Sequence, residues 1–377
     1  MRKVLLVRDR DAAAASRTQY AEFLLLQAGI PCFQYTLERD CATVEGVNHA
    51  AATAKRVGAD GVVAFGGGNA MDLARAVAVV IATGQEAASY LAVQDEEEGG
   101  NMIPVVKEPL ETTPLVLVPT IVGAGAEVAK NALLLDEDAE TKVLFAAGRP
   151  IVPGAVIVDP TLMLTVPLRA TVQDDDTEKL ALEGLEAVAE ALAGPLEEGK
   201  LNLKGAILRE QFAIGSVVSG IAANSSGYGA TQALAVSMGG ISDLPHAQVA
   251  TAFLPFVFDR YTELANENEG DSFFDDLRGK LENASDRLAA ASGFQGADVS
   301  AWLRYVIARF DLPTASTLEL DESLLNGLVD RAAQYQDTSM EVTRSDDNGA
   351  ILEKDDLRAI IDSAVLVLEP TKDDEDE

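Results

Sequence analysis

The segment Gly61-Val-Val-Ala-Phe-Gly-Gly-Gly-Asn-Ala-Met-Asp72 most restricts what this chain can fold into. An apolar run too short to be a helix ends in three glycines and passes at once into the Ala- and aliphatic-rich stretch Ala70–Thr83. A strand, a tight glycine turn and a helix in that order open a βαβ unit. A strand with no polar residue is covered on both faces, as in a parallel sheet between helical layers. The pattern recurs. Strands are predicted at Lys3–Val7, Pro31–Thr36, Gly61–Phe65, Leu115–Pro119 and Val156–Val158, with helices at Ala12–Ala28, Val44–Val57 and Ala70–Thr83. Residues 1–167 therefore read as an α/β domain with a doubly wound parallel sheet. Gln94–Glu111, with its DEEEGG stretch, reads as a surface loop.

After Pro167 the character changes. Thr177–Leu192, Leu203–Ala223, Ala230–Met238, His246–Asn266, Leu277–Ala291, Val299–Phe310, Glu322–Gln334 and Glu353–Val367 all read as helices, and no strand is expected. Residues 168–370 form an all-α domain on this reading, and 371–377 is an acidic, solvated tail. No internal repeat is present.

Composition excludes several function classes. With 377 residues, 48% of them hydrophobic, the chain has ample material for a large core and is not disordered as a whole. No apolar run reaches the roughly 18–20 residues that span a bilayer. The start, MRKVLLVRDRD, is charged too soon for a signal peptide, so a cytoplasmic location is expected. Asp and Glu number 61 against 29 Lys and Arg, a formal charge of −32, which argues against nucleic acid and anionic membranes as partners. Abundant carboxylates with little lysine are also the surface of a protein adapted to high salt. Cys32 and Cys41 are expected to be ordinary thiols, since two cysteines make no disulfide framework and no CxxC pair. His49, in an Ala-rich helix, reads as a surface residue.

Three features carry chemistry. The glycines Gly66-Gly67-Gly68 follow a buried strand and let the backbone approach a ligand closely. The helix that follows offers unpaired N–H groups and a positive dipole end, suited to a phosphate or pyrophosphate, with Asn69 as a possible helix cap. Asp9 ends the first strand, where a carboxylate takes the adenosine ribose hydroxyls of a dinucleotide and disfavours a 2′-phosphate. The loop Pro119-Thr-Ile-Val-Gly-Ala-Gly-Ala-Glu127 also leaves an apolar strand and is expected to open a helix, so that two such loops line one edge of the sheet.

The order GGGNAMD, PTIVGAGAEV, Lys142, PGAVIVDPTLMLTVP and LPHAQVATAFLP resembles the iron-containing (group III) alcohol dehydrogenases over essentially the whole chain. That family carries GGGSxxDxAK, PTTAGTGSE, a downstream Lys, PxxAxxDPxL and LPHGxxxAxxLP. The resemblance implies a dehydroquinate synthase-like fold: an N-terminal dinucleotide-binding domain and a C-terminal helical domain. It implies NAD(P)-dependent interconversion of an alcohol with an aldehyde, ketone or keto acid, NAD rather than NADP, a divalent iron or zinc ion, and a homodimer or larger homo-oligomer. Asp9, Gly67, Gly68, Asn69, Thr120, Asn131 and Lys142 would hold the cofactor. Ile121 and Ala129 replace family threonines. The family has a further strand before the position of Lys3, so a truncated start or an open sheet edge is expected.

The metal site is where the resemblance breaks. The family binds its ion through an Asp, a His four residues later, a His on the next helix and the His of LPHG. Here those positions are Lys179, Glu183, Gln232 and His246, and a further family His is Val236. An ammonium at 179 repels a cation. An altered site of Glu183, Gln232 and His246 stays open, as does a shifted register using Asp174 and Glu178, or no metal at all. Catalysis would then fall to Lys179 or Lys142, stabilising a developing alkoxide, and to His246 as proton donor or relay. A nucleotide-binding paralogue without turnover is the alternative.

Overall fold

The computed structural model describes residues 1–10, 12–95, 101–104, 112–120, 125–138, 141–147, 151–159, 175–193, 196–197, 200–201, 206–226, 229–238, 246–296, 298–312, 314, 327–336 and 352–366. The described residues divide into two compact units. The expected boundary at Pro167 and the tail at 371–377 lie outside the described residues.

The first unit takes in the described part of Met1–Gly184 and of Leu203–Gly227. Its strands β1 (Val4–Arg8), β2 (Cys32–Thr36), β3 (Gly61–Gly66), β6 (Leu115–Pro119) and β9 (Ala155–Val156) form one sheet in the order β2-β1-β3-β6-β9. Every pairing in it is parallel. Helices α1 (Ala12–Gln27), α2 (Val44–Val57) and α3 (Gly68–Thr83) provide the crossovers. Alternate strand residues face opposite layers, as the period of two requires. Leu5, Val7, Val62, Ala64, Leu115 and Leu117 pack with α2 and α3. Val4, Leu6, Val63, Phe65 and Val118 pack with Ala21 and Leu25 of α1. Both faces are covered, so the doubly wound parallel sheet is confirmed. Helix α2 starts at Thr43, whose Oγ1 accepts the Gly46 N–H at 2.9 Å, and stops at Gly58 in the left-handed region.

Three hairpins depart from the expected elements. The stretch read as a surface loop from Gln94 contains strands β4 (Ala92–Asp95) and β5 (Asn101–Pro104), paired antiparallel. Strands β7 (Ala132–Asp136) and β8 (Thr141–Phe145) form a second antiparallel pair where no strand was predicted; the loop that starts at Pro119 leads through a turn at 126–128 into β7, not into the expected helix. In both cases acidic residues cluster at the turn end, and their polarity masks short apolar runs; the β7–β8 pair also bridges to Thr43 and Leu91 outside the hairpin. The third, β10 (Leu196–Glu197) with β11 (Lys200–Leu201), corrects the expectation of a strand-free second half. Strand β9 is also shorter and earlier than Val156–Val158, although the Ile157 N–H still donates to Leu117 at 2.9 Å.

Helix α4 (Asp175–Leu192) opens the second half, and α5 (Ala206–Ser226) belongs to the first unit. The α5 backbone approaches the loop after β6 so closely that a Cβ on Gly125 would lie 2.3 Å from the Gly220 Cα. Gly125 also has φ +60°, a conformation that suits glycine.

The second unit is helical, with α6 (Ala230–Ser237), α7 (His246–Glu267), α8 (Ser272–Ser292), α9 (Val299–Arg309), α10 (327–336) and α11 (Lys354–Leu366). Its core joins Leu234, Val249, Phe253 and Val257 with Leu328, Ala332, Leu357 and Ile361. Asp271 and Asp298 cap α8 and α9 through backbone amides. Residues 322–326 of the predicted Glu322–Gln334 helix lie outside the described residues; the rest is α10. Among the described residues no helix is long and apolar enough to cross a membrane.

Candidate functional site

The turn between β3 and α3 is built by Asp9. Its Oδ2 accepts the Gly67 N–H at 2.6 Å. The carboxylate comes from the end of β1, the strand beside β3, and ties the two strand ends together. A Cβ at Gly66 would stand 2.6 Å from that same oxygen and 2.7 Å from the Ala70 Cβ, so this position needs glycine. The loop after β6 is tied in too: the Thr120 N–H donates to the Gly66 carbonyl at 2.9 Å, and Thr120 is buried.

Helix α3 begins at Gly68 with Gly67 as N-cap and no side-chain cap. This corrects the expectation that Asn69 caps the helix. Asn69 already lies inside the first turn, and its Nδ2 donates to the Asp40 carbonyl at 2.8 Å. The amides of Gly68, Asn69 and Ala70 have no acceptor within the helix by its geometry. The nearest atom to a Cβ at Gly68 would be the Ala126 Cβ, at 3.5 Å. The arrangement is an uncapped helix start in a glycine cradle, to which anions are attracted.

Beneath the cradle lies a group of charges that the sequence did not single out. Arg75, two turns into α3, is fully buried. It pairs with Asp72 at 3.4 Å and donates to the Ala126 carbonyl. Asp72 also accepts the Leu133 backbone N–H and feels the Lys142 ammonium; burial nevertheless pushes its carboxyl up to about 6. Glu127 is buried as well and accepts the Ser216 hydroxyl at 3.1 Å. Burial raises its carboxyl, while Ser216 and Arg75 hold it down. The one available signal was spacing: Asp72 and Arg75 sit three apart on one helix face.

Lys142 lies on β8, opposite Leu135 of β7, and Asn131 immediately precedes β7. The hairpin thus carries both of these expected cofactor residues, and Lys142 acts on Asp72 and on Cys41. Ala129 is buried, and Ile121 lies outside the described residues. Cys32 and Cys41 are free thiols, and His49 is exposed beside Glu38 and Glu45, both as expected.

The residues expected at the metal are placed less completely. In the second unit, Gln232 on α6 and His246, the first residue of α7, form a pair with 2.8 Å between His246 Nε2 and Gln232 Oε1. An imidazole N–H donating to an amide oxygen uses the nitrogen and the oxygen that a cation would need. Val236 is buried in the helical core. In the first unit, Glu183 is exposed on α4. The side chains of Lys179 and Glu178, and Asp174 altogether, lie outside the described residues. Among the described residues no three His, Cys, Asp or Glu side chains are grouped to hold a metal ion.

Residues 1–160 match the model of the iron-containing alcohol dehydrogenase family, and residues 170–336 match that of the family's C-terminal domain. Among curated proteins, the chain is 28% identical to a choline dehydrogenase of Bacillus subtilis over 278 residues, 67% of this chain and 64% of that one. It is 30% identical to a 4-hydroxybutyrate dehydrogenase of Cupriavidus necator over 192 residues, 51% of this chain and 45% of that one. The matches thus span less than two thirds of either relative. Among solved structures, an archaeal halo-thermophilic alcohol dehydrogenase from a Red Sea brine pool superposes with a TM-score of 0.75 at 20% identity, covering 96% of this chain and 92% of that one. An iron-containing alcohol dehydrogenase from Thermococcus thioreducens gives 0.72 at 19% identity, with the same coverage.

Proposed function

The chain belongs to the iron-containing alcohol dehydrogenase family, and from that premise we propose that it transfers hydride between NAD(H) and a small alcohol–aldehyde or alcohol–ketone pair. The observation that carries this reading is the uncapped start of α3 in its glycine cradle, closed by Asp9 and Thr120. Bound NAD⁺ supplies the hydride acceptor. The amides of Gly68, Asn69 and Ala70 take the pyrophosphate. Asp9 is the carboxylate assigned to the adenosine ribose, and its charge repels a 2′-phosphate, which favours NAD over NADP. Thr120, Asn131 and Lys142 line the rest of the cofactor's path. Isothermal titration in molar KCl tests this: NAD⁺ should bind measurably and NADP⁺ at least about tenfold more weakly, a difference of 1.4 kcal/mol. Equal affinities remove Asp9 from the reading.

Membership implies iron or another divalent ion beside NAD(H). The described donors do not fit such an ion, because the surviving imidazole is hydrogen-bonded to an amide where the family has a second imidazole. No step here is routed through a metal. His246 is assigned as proton donor or relay, and Lys142 or Lys179 as the positive charge facing the developing alkoxide. Elemental analysis after dialysis against chelator should find no stoichiometric iron or zinc, and oxidation of a panel of small alcohols should survive EDTA. One equivalent of retained metal refutes this assignment. The His246–Gln232 pair also favours a second reading, nucleotide binding without turnover; NAD⁺ binding with no oxidation of any alcohol in the panel, in high or low salt, would select it. A homo-oligomer and a high-salt habitat belong to the same proposal.

A further inference from the structure

We propose that the edge strand β2 and the outer side of α1 form a two-fold interface with a second copy of this chain, in which the β2 strands pair antiparallel about Gln34 and the two parallel sheets join into one. The inference rests on the homo-oligomer included in the reading above and names the surface that builds it.

Of the large apolar side chains exposed among the described residues, Tyr20, Phe23, Leu24 and Leu26 of α1 and Phe33 of β2 gather at one edge of the first unit's sheet. Phe23 is 52% exposed, Leu26 55% and Phe33 41%. Glu22 accepts the Gln34 side-chain N–H at 2.7 Å, so the flank of α1 that carries Glu22 and Leu26, one turn apart, lies towards β2. Phe33 shares a strand face with Tyr35, which packs in the layer of α2 and α3, so it stands at the same edge on the other side of the sheet. Both faces of the sheet thus end in apolar side chains, with the strand's backbone edge between them. No described strand pairs with that edge. The Val4 N–H donates to the Pro31 carbonyl and the Leu37 N–H to the Arg8 carbonyl, both at 3.0 Å. By the alternation of a ladder, odd-numbered residues of β2 turn their backbone groups to β1, and Cys32, Gln34 and Thr36 turn theirs outwards. Strand β2 holds no proline and no charged residue to blunt it.

Charge and symmetry select the occupant. Residues 12–36 contain one carboxylate, Glu22, and one cation, Arg17, in a chain whose net charge is −32. Two such acidic copies meet here without the like-charge repulsion that the rest of the sequence carries. The backbone edge is also self-complementary. A two-fold axis at Gln34 sets that residue opposite its own copy and Cys32 opposite the partner's Thr36, so every outward N–H meets an outward carbonyl. Tyr20, Phe23 and Phe33 together expose on the order of 300 Å² of aromatic side chain, and the two leucines add to it. One partner in a standard interface contributes about 800 Å², of which about 65% is apolar in a homodimer, on the order of 500 Å². The patch supplies most of that apolar share.

The test is sedimentation equilibrium of the intact protein in molar KCl, where the net charge is screened. The parent should sediment at an even multiple of the chain mass. Phe23→Glu combined with Leu26→Glu places like charges at the junction; it should raise the dissociation constant of this pair at least about tenfold and keep a parent-like circular dichroism spectrum. Gln34→Cys sits on the two-fold axis, where the paired Cα atoms lie about 5.5 Å apart, within reach of a disulfide. Mild oxidation should therefore crosslink Gln34→Cys into dimers and leave the parent uncrosslinked, since Cys32 faces the partner's Thr36. The crosslink should be lost when Phe23→Glu and Leu26→Glu are added. If the double variant does not fold, the crosslink still decides: none in Gln34→Cys, or an equal yield from the parent, overturns the interface. A parent that oligomerises, with a folded double variant that does so equally well, overturns this surface alone. A monomeric parent overturns the homo-oligomer with it and leaves the hydride-transfer reading to its own test.

Discussion

A carboxylate at the end of one strand and a glycine at the end of the next meet here with almost no spare volume. Gly66→Ala places its methyl against Asp9 Oδ2 and the Ala70 Cβ, so it should destabilise the fold by about 1–3 kcal/mol as an overpacked site. Gly68 has only ordinary contact beyond it, so Gly68→Val should keep a parent-like melting temperature and lose NAD⁺ binding. Calorimetry and titration on the two variants separate a turn that is merely tight from one that receives a ligand. Asp72 makes a second residue-scale prediction. Its folded value of about 6 lies above the ordinary 3.8, so its stabilising contribution is complete below about pH 3.8 and lost as pH rises through 6. The stability of Asp72→Asn relative to the parent should therefore rise between pH 4 and 7, by on the order of 2–3 kcal/mol. A difference that is flat with pH, measured by denaturant titration, would contradict the raised carboxyl. Asp9 and the three glycines were legible in the sequence because turn chemistry is local. The partnership of Arg75 with Ala126, and of Glu127 with Ser216, was not: the partners lie 51 and 89 residues apart, and no local pattern announces them.

At the level of elements, the parallel strands were legible because each is a short run of apolar residues covered on both faces. The hairpins were not, since β7 and β8 alternate only partly and enclose an acidic turn. The consequence reached the site, because Asn131 and Lys142 were read without the strands that carry them. The contact between α5 and the loop after β6 was equally hidden, being made of two glycines. Gly125→Ala should cost about 3 kcal/mol or more, through both its left-handed backbone and the clash with Gly220. Gly220→Ala isolates the clash, since alanine is the better helix former by about 1 kcal/mol and the new Cβ would lie 2.5 Å from the Gly125 Cα. A stabilised Gly220→Ala protein in denaturant titration would show that the close approach is not required.

For the molecule as a whole, charge sets the conditions of stability. Several arginines make short ion pairs, such as Arg287 with Glu186 at 2.7 Å and Arg260 with Asp356 at 2.9 Å. These short contacts leave a net −32 to repel over longer distances. The screening length shrinks from about 30 Å at 0.01 M salt to about 3 Å at 1 M, so the melting temperature should climb steeply with KCl. A flat profile would make the acidity incidental to folding. The glycine contact between α5 and the loop after β6 has a bearing on time as well as on packing. Synthesis delivers the parallel sheet by residue 156, and an N-terminal domain ordinarily folds while the rest is still being made. Here Gly125 waits for Gly220, and the buried Glu127 carboxylate waits for the Ser216 hydroxyl. The first unit therefore has its full set of packing partners only once α5 has been made, and a gene fragment cut after the sheet would encode Gly125 and Glu127 without the backbone and the hydroxyl they pack against.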